Sequence, residues 1–202
     1  MLKPLTLLLA VLSLTAMPRA HALSVGANAP DFVLTDSHGK AVKLSDFKGK
    51  QVVLEWFNPN CPFVRKHYNS KNMQGLQSTY TKNGVVWLSI SSTVPGHEDF
   101  YDGKALNAKT SEWNAAANHY LLDPDGKVGR NYEAKTTPHL FIINEAGQVV
   151  YMGGIDDKRS SNPADIPNSK NFVKAAFDDL KAGRAIASAS TTPYGCSVKY
   201  TK

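Results

Sequence analysis

Residues 52–68, VVLEWFNPNCPFVRKHY, constrain the fold more than any other stretch of the chain. Val52, Val53 and Leu54, continued by Trp56 and Phe57, form a near-continuous apolar run. Such runs fill central strands that are covered on both faces. The run breaks at Asn58-Pro59-Asn60, and Cys61-Pro62 follows. Proline is favoured at the first helical position, where its missing N–H costs nothing, so a helix starts here with Asn60 or Cys61 at its N-cap. A thiol at that place faces unpaired backbone N–H groups and the positive end of the helix dipole, which favours thiolate. Arg65, Lys66 and His67 add positive potential one to two turns on. A strand feeding a helix through a turn, with cysteine at the helix start, points to a reactive cysteine. The alternative is a buried, inert thiol that packs as a small hydrophobe. Glu55 interrupts the apolar run, and a carboxylate in a buried strand is costly unless paired or protonated. It is either a proton acceptor beneath Cys61 or a residue near an exposed strand end.

The start of the chain reads as a cleavable secretory signal, residues 1–22. Lys3 is its basic region, residues 5–16 are apolar, and Ala20-His21-Ala22 is a small-x-small cleavage site. The apolar run falls short of the roughly 20 residues a membrane span needs. The expected mature chain, residues 23–202, is therefore periplasmic or secreted, with no transmembrane segment and the length of one domain. The whole sequence carries 23 basic and 17 acidic residues. Setting aside Lys3 and Arg19 lowers the formal charge from +6 to +4. Charges of both signs are interspersed, which speaks against a nucleic-acid partner. The 2 cysteines, Cys61 and Cys196, are too few for a disulfide framework but enough for one bridge in an exported protein.

Along the chain, residues 29–34 and 42–44 read as a short N-terminal hairpin around the polar turn 36–40. Residues 61–83 read as one helix, with Phe63, Tyr68, Met73, Leu76 and Tyr80 near helical spacing and Asn83-Gly84 as its stop. Residues 85–90 form a second buried-type strand, which makes a βαβ unit. A polar loop follows over 91–109, then a helix over 110–120 with Ser111 as N-cap. Next come a strand at 121–123, a turn at Pro124-Asp125-Gly126 and a short helix over 127–134. Thr137-Pro138 precedes a strand at 139–143, whose partner at 148–152 returns through Asn144-Glu145-Ala146-Gly147. A polar loop leads to an amphipathic helix over 168–183, and residues 185–202 form a tail containing Tyr194-Gly195-Cys196-Ser197-Val198-Lys199-Tyr200.

This order, with the motifs Ala29-Pro30-Asp31-Phe32, EWFNPNC and Thr137-Pro138 and the hairpin around Asn144-Glu145-Ala146-Gly147, resembles the redoxin branch of the thioredoxin superfamily. That branch contains the alkyl hydroperoxide reductase/thiol-specific antioxidant proteins. Asn60-Cys61-Pro62, Gly154-Ile155-Asp156-Asp157 and the Cys196 tail resemble a peroxiredoxin-like subgroup. The resemblance implies an α/β fold: a thioredoxin-like three-layer α/β/α sandwich with a central mixed sheet, an N-terminal hairpin and a C-terminal tail. It implies that Cys61 is the nucleophile and that Thr137-Pro138 is the cis-proline loop lying against it. It also places Glu55 where thioredoxins carry a buried acid that takes part in proton transfer.

Two departures bear on activity. Val64 stands where a CxxC motif would put its second cysteine, so Cys61 cannot be resolved within its own turn. Leu54 and Asn58 stand where peroxiredoxins carry Pro and Thr (or Ser), and Asn58 or Arg65 would have to substitute in a peroxide pocket. The first expectation is a thiol–disulfide oxidoreductase in which Cys196 resolves the Cys61 adduct. Its partners would be an external dithiol reductant and a protein or small-molecule disulfide. The second is a two-cysteine thiol peroxidase with antioxidant activity, and the third a copper-binding protein using Cys61 with His67, His97, His119 or His139. No cofactor and no resident metal are expected.

Overall fold

The computed structural model describes residues 22–200. Residues 1–21 of the expected signal segment, 1–22, lie outside the described residues. Among the described residues no helix is long and apolar enough to cross a membrane.

Five segments with apolar residues on one or both faces build the centre of a seven-stranded mixed sheet. They are β3 (Val52–Trp56), β4 (Val86–Ser91), β5 (His119–Leu122), β7 (His139–Ile143) and β8 (Val149–Gly153). The hairpin β1 (Val33–Asp36) and β2 (Ala41–Lys43) completes it, in the order β2-β1-β5-β4-β3-β7-β8. Strand β3 pairs parallel with β4 and antiparallel with β7. Alternation then sorts its side chains. Val53 and Phe57 enter one core, with Val64, Tyr68, Trp87, Leu140, Val173 and Phe177. Val52, Leu54 and Trp56 enter the other, with Leu88, Ile90, Val128, Tyr132 and Phe141. Helices α1 (Pro62–Asn69), α2 (Asn72–Lys82), α3 (Gly103–Glu112) and α5 (Phe172–Lys181) contribute to the first core, and α4 (Lys127–Asn131) to the second. The mixed sheet between helical layers is the thioredoxin-like α/β architecture the motifs imply.

Three elements depart from the sequence reading. The single helix expected over 61–83 is two, because Lys71 takes a left-handed φ of 63°. The Ser70 hydroxyl donates to the carbonyls of Lys66 and His67 at 2.7 and 3.2 Å, closing α1 with a side chain. The helix expected over 110–120 starts earlier, because Asp102 rather than Ser111 is the N-cap and accepts from the Ala105 N–H at 2.7 Å. It is over by Asn114 (φ 52°), which frees His119–Leu122 for the sheet. The tail is not loose chain. Cys196–Ser197 forms β9, paired antiparallel with β6 (Thr136–Thr137) in a separate two-stranded sheet.

Candidate active site

Cys61 is the N-cap of α1, with Pro62 in the first turn. Its backbone N–H donates to the Asn58 carbonyl at 3.1 Å, and its carbonyl accepts from Arg65 at 2.9 Å. The break after β3 is thereby closed into a tight turn that fixes the sulfur over the sheet end. Cys61 is 3% exposed, and its thiol donates to the Thr137 carbonyl at 3.0 Å. The Thr137-Pro138 peptide bond is cis. The Thr137 hydroxyl is buried without a hydrogen-bond partner among the described residues.

Cys196 is the cross-strand partner of Thr137, which brings its half-exposed thiol beside Cys61. Both thiols are free. Burial, then the neighbouring Cys61 sulfur, push the Cys196 thiol up to about 12. Cys196 thus keeps its proton at neutral pH, while the N-terminus of α1 lies at Cys61. Gly195 serves close approach. Its φ is +138°, and a Cβ there would collide with the Thr137 carbonyl oxygen.

The other candidate residues are placed less directly. Glu55 is fully buried, not at an exposed strand end. Its carboxylate accepts from Tyr68 (2.9 Å), Gln77 (3.2 Å), Trp87 (2.8 Å) and Ser89 (2.8 Å). Burial raises its pKa against the lowering effect of these four donors. Among the described residues no hydrogen bond joins it to Cys61; its link to that helix runs through Tyr68. Asn58 donates to Thr93 and to the Asp99 carbonyl and accepts from the Asn60 N–H. Arg65 is exposed and reaches back to the Pro59 carbonyl and Asn60. Both residues hold the turn that carries Cys61.

The basic run after Cys61 hides a cluster that sequence reasoning did not see. Lys66 and His67 point into the protein, 2% and 0% exposed. Lys66 pairs with Asp156 at 3.4 Å and donates to the Lys158 carbonyl at 2.9 Å. The Tyr194 hydroxyl donates to Asp156 at 2.5 Å and lies 3.3 Å from His67 Nε2. His67 Nε2 is also 3.8 Å from Asp156, but burial outweighs that carboxylate, and Lys66 adds to the depression, so its pKa falls to about 4. At neutral pH the ion pair is thus Lys66–Asp156, and His67 is a neutral partner. The one signal in the sequence was the co-occurrence of Asp156 and Tyr194 in two motifs that no role had absorbed. The remaining histidines are engaged elsewhere: His119 with Asp36, His97 beside Asp99, and buried His139 accepting from the Lys135 N–H. Among the described residues no group of three or more His, Cys, Asp or Glu side chains converges as a metal site.

Thiol-disulfide oxidoreductase ResA of Bacillus subtilis (strain 168) is 28% identical over 136 residues, 64% of this chain and 66% of that protein. The matched region thus spans just under two thirds of that relative's length. An uncharacterized conserved protein from Geobacillus kaustophilus superposes with a TM-score of 0.76 at 27% identity, covering 89% of this chain and 93% of that one. A putative thiol:disulfide interchange protein DsbE from Chlorobium tepidum gives a TM-score of 0.51 at 27% identity, over 64% and 84%. The model of the AhpC/TSA family matches residues 25–152, well over half the chain and including the Cys61 turn and the cis-proline loop. With its thioredoxin-like sheet and its cysteine at the start of α1, the chain belongs to the AhpC/TSA family.

Proposed function

We propose that this protein is a thiol–disulfide oxidoreductase that uses Cys61 and Cys196 as a two-electron pair. The observation that carries the reading is the β6–β9 ladder, which makes Cys196 the partner of the residue whose carbonyl accepts from Cys61. In the reaction, the Cys61 sulfur, having lost its proton to solvent, attacks one sulfur of a substrate disulfide. A Cys61–substrate disulfide forms, the substrate S–S bond breaks, and the departing thiolate takes up a proton. Cys196 then loses its proton and attacks the Cys61 sulfur, releasing the second substrate thiol and leaving a Cys61–Cys196 disulfide. The dithiol is oxidised, the substrate disulfide is reduced to two thiols, and an external dithiol resets the pair. Thr137 and Pro138 back the reacting sulfur, and Glu55 is a positioning residue that ties Tyr68 of α1 to the sheet.

The names of the ResA and DsbE relatives support this reaction class. Peroxide chemistry has less support, because Asn58 and Arg65 are committed to the turn. The sequence pattern of residues 1–22 supports work outside the cytoplasm. Mass spectrometry of protein treated with excess disulfide tests the mechanism. A Cys61–Cys196 bridge is expected, and Cys196→Ser should accumulate a Cys61–substrate adduct instead. Two thiols that stay free under these conditions refute the reading.

A further inference from the structure

Residues 189–200 cross the site as a strap tied down on both sides of Cys196. Before it, the Met152 N–H donates to Ala189 and the Thr191 N–H to Met152, each at 3.0 Å. The Thr191 hydroxyl accepts from the Gly154 N–H at 3.0 Å, and Tyr194 is 7% exposed with its ring edge-on to Phe63. Beyond it, the Val198 N–H donates to Lys135 at 3.1 Å, Lys199 accepts from the Val94 N–H at 3.0 Å, and the Tyr200 hydroxyl donates to Ala134 at 2.8 Å. Between these anchors, β9 takes the backbone edge of Thr136–Thr137 beside Cys61. An extended polypeptide docking at a nucleophile gains its affinity by pairing with such an edge. Here the chain's own tail holds it, while Cys196 remains half-exposed and Asn60 and Phe63 are partly accessible.

We propose that the strap selects the substrate, admitting low-molecular-weight disulfides to Cys61 and excluding disulfides held in extended polypeptide. This rests on the thiol–disulfide reading above and names its substrate class. A small disulfide needs only one sulfur to pass Cys196. A polypeptide has to displace β9 and with it Tyr194, whose hydroxyl is bonded to the buried Asp156 carboxylate. The reaction is the one already balanced: one disulfide and the dithiol give two thiols and the Cys61–Cys196 bridge.

The test uses the reduced full-length chain, with bis(2-hydroxyethyl) disulfide as the small probe and insulin as the polypeptide probe. Formation of the Cys61 adduct or bridge is followed by quenched-flow mass spectrometry. Each rate is divided by that of glutathione thiolate with the same probe, which removes the probe's own reactivity. The normalised small-to-polypeptide ratio is expected to be on the order of 100, since strap opening is a local unfolding that precedes polypeptide attack. Two variants open the strap by independent routes. Gly195→Val places a side chain against the Thr137 carbonyl, and Tyr194→Phe removes the hydroxyl that bonds Asp156. Either should lower the ratio about tenfold or more, which for Tyr194→Phe is the effect of losing a hydrogen bond to a charged group. A ratio near 1 in the unaltered chain overturns the proposal and leaves the two-cysteine chemistry standing. A large ratio that both variants leave unchanged also overturns it, because selection would then lie elsewhere. If neither probe forms the Cys61–Cys196 bridge, the thiol–disulfide reading itself falls.

Discussion

Thr137 has two polar groups in different situations: its carbonyl accepts from the Cys61 thiol, and its buried hydroxyl has no partner among the described residues. A hydroxyl without a partner costs the fold roughly 1–3 kcal/mol. Thr137→Val should therefore leave stability unchanged or raise it by about 1 kcal/mol, measured by urea unfolding. If the hydroxyl donates to the departing substrate sulfur, the same variant slows Cys61 attack on a small disulfide about tenfold. An unchanged rate removes that role. His67 and His139 lead to a pH dependence. Burial, with Lys66 and Lys135 adding to it respectively, holds their pKa values near 4 and 3 against an ordinary 6.5. Between those values the unfolded chain binds protons that the folded one does not, so stability falls as pH drops below about 6.5. Each site contributes a slope approaching 1.4 kcal/mol per pH unit. Glu55 has the opposite sign: its raised pKa contributes stability that is lost as pH rises through the folded value. Urea midpoints from pH 6.5 to 4 should decline, and His139→Asn should make the decline shallower by about one proton.

At the scale of elements, α1 is held to the sheet by the Glu55 carboxylate. One oxygen accepts from Tyr68 of α1, and the other from Gln77 of α2 and from Trp87 and Ser89 of β4. In Glu55→Gln the amide oxygen can keep three donors while the Tyr68 hydroxyl turns to accept, so the cost should be about 1 kcal/mol. Glu55→Ala removes the acceptor of four buried donors, of which only Gln77 and Tyr68 keep a bond, to each other at 3.0 Å, and should cost several kcal/mol. Thermal unfolding distinguishes them, and equal losses would contradict this view of the network. The strand-Cys-helix unit and the β7–β8 hairpin were legible in the sequence, because each rests on local signals: an apolar run, Cys-Pro, and a Gly turn; the cis-proline position came from the family resemblance. The α1–α2 break and the true start of α3 were not. The first depends on a left-handed Lys71, a type of residue that rarely adopts that conformation. The second depends on Asp102 outcompeting Ser111 as cap, and Gly103 fits there because a Cβ would come within 2.6 Å of the Ser37 carbonyl oxygen.

For the whole molecule, a Cys61–Cys196 bond would close a loop of roughly 135 residues, and loop-closure entropy sets a ceiling of about 5 kcal/mol on its stabilisation. Because the tail is docked before oxidation, little of the native arrangement has to move to form the bond. The oxidised protein is expected to melt higher than the reduced one, by at most about 10–20 °C for a chain of this size. Paired scanning calorimetry of the two forms checks this, and a lower oxidised melting point would mean that closure strains the fold.

The sequence by itself determined the α/β class, singled out Cys61 as the candidate nucleophile and excluded a dithiol within its turn, since Val64 occupies the place a second cysteine would need. These follow from patterns a few residues long. Tertiary structure alone decided what completes the site. That Cys196 returns to Thr137, that Lys66 and His67 turn inward to meet Asp156 and Tyr194, and that the tail becomes a strand are contacts between residues 59 to 127 positions apart. Their energies come from burial and pairing across that distance, and no local pattern records them.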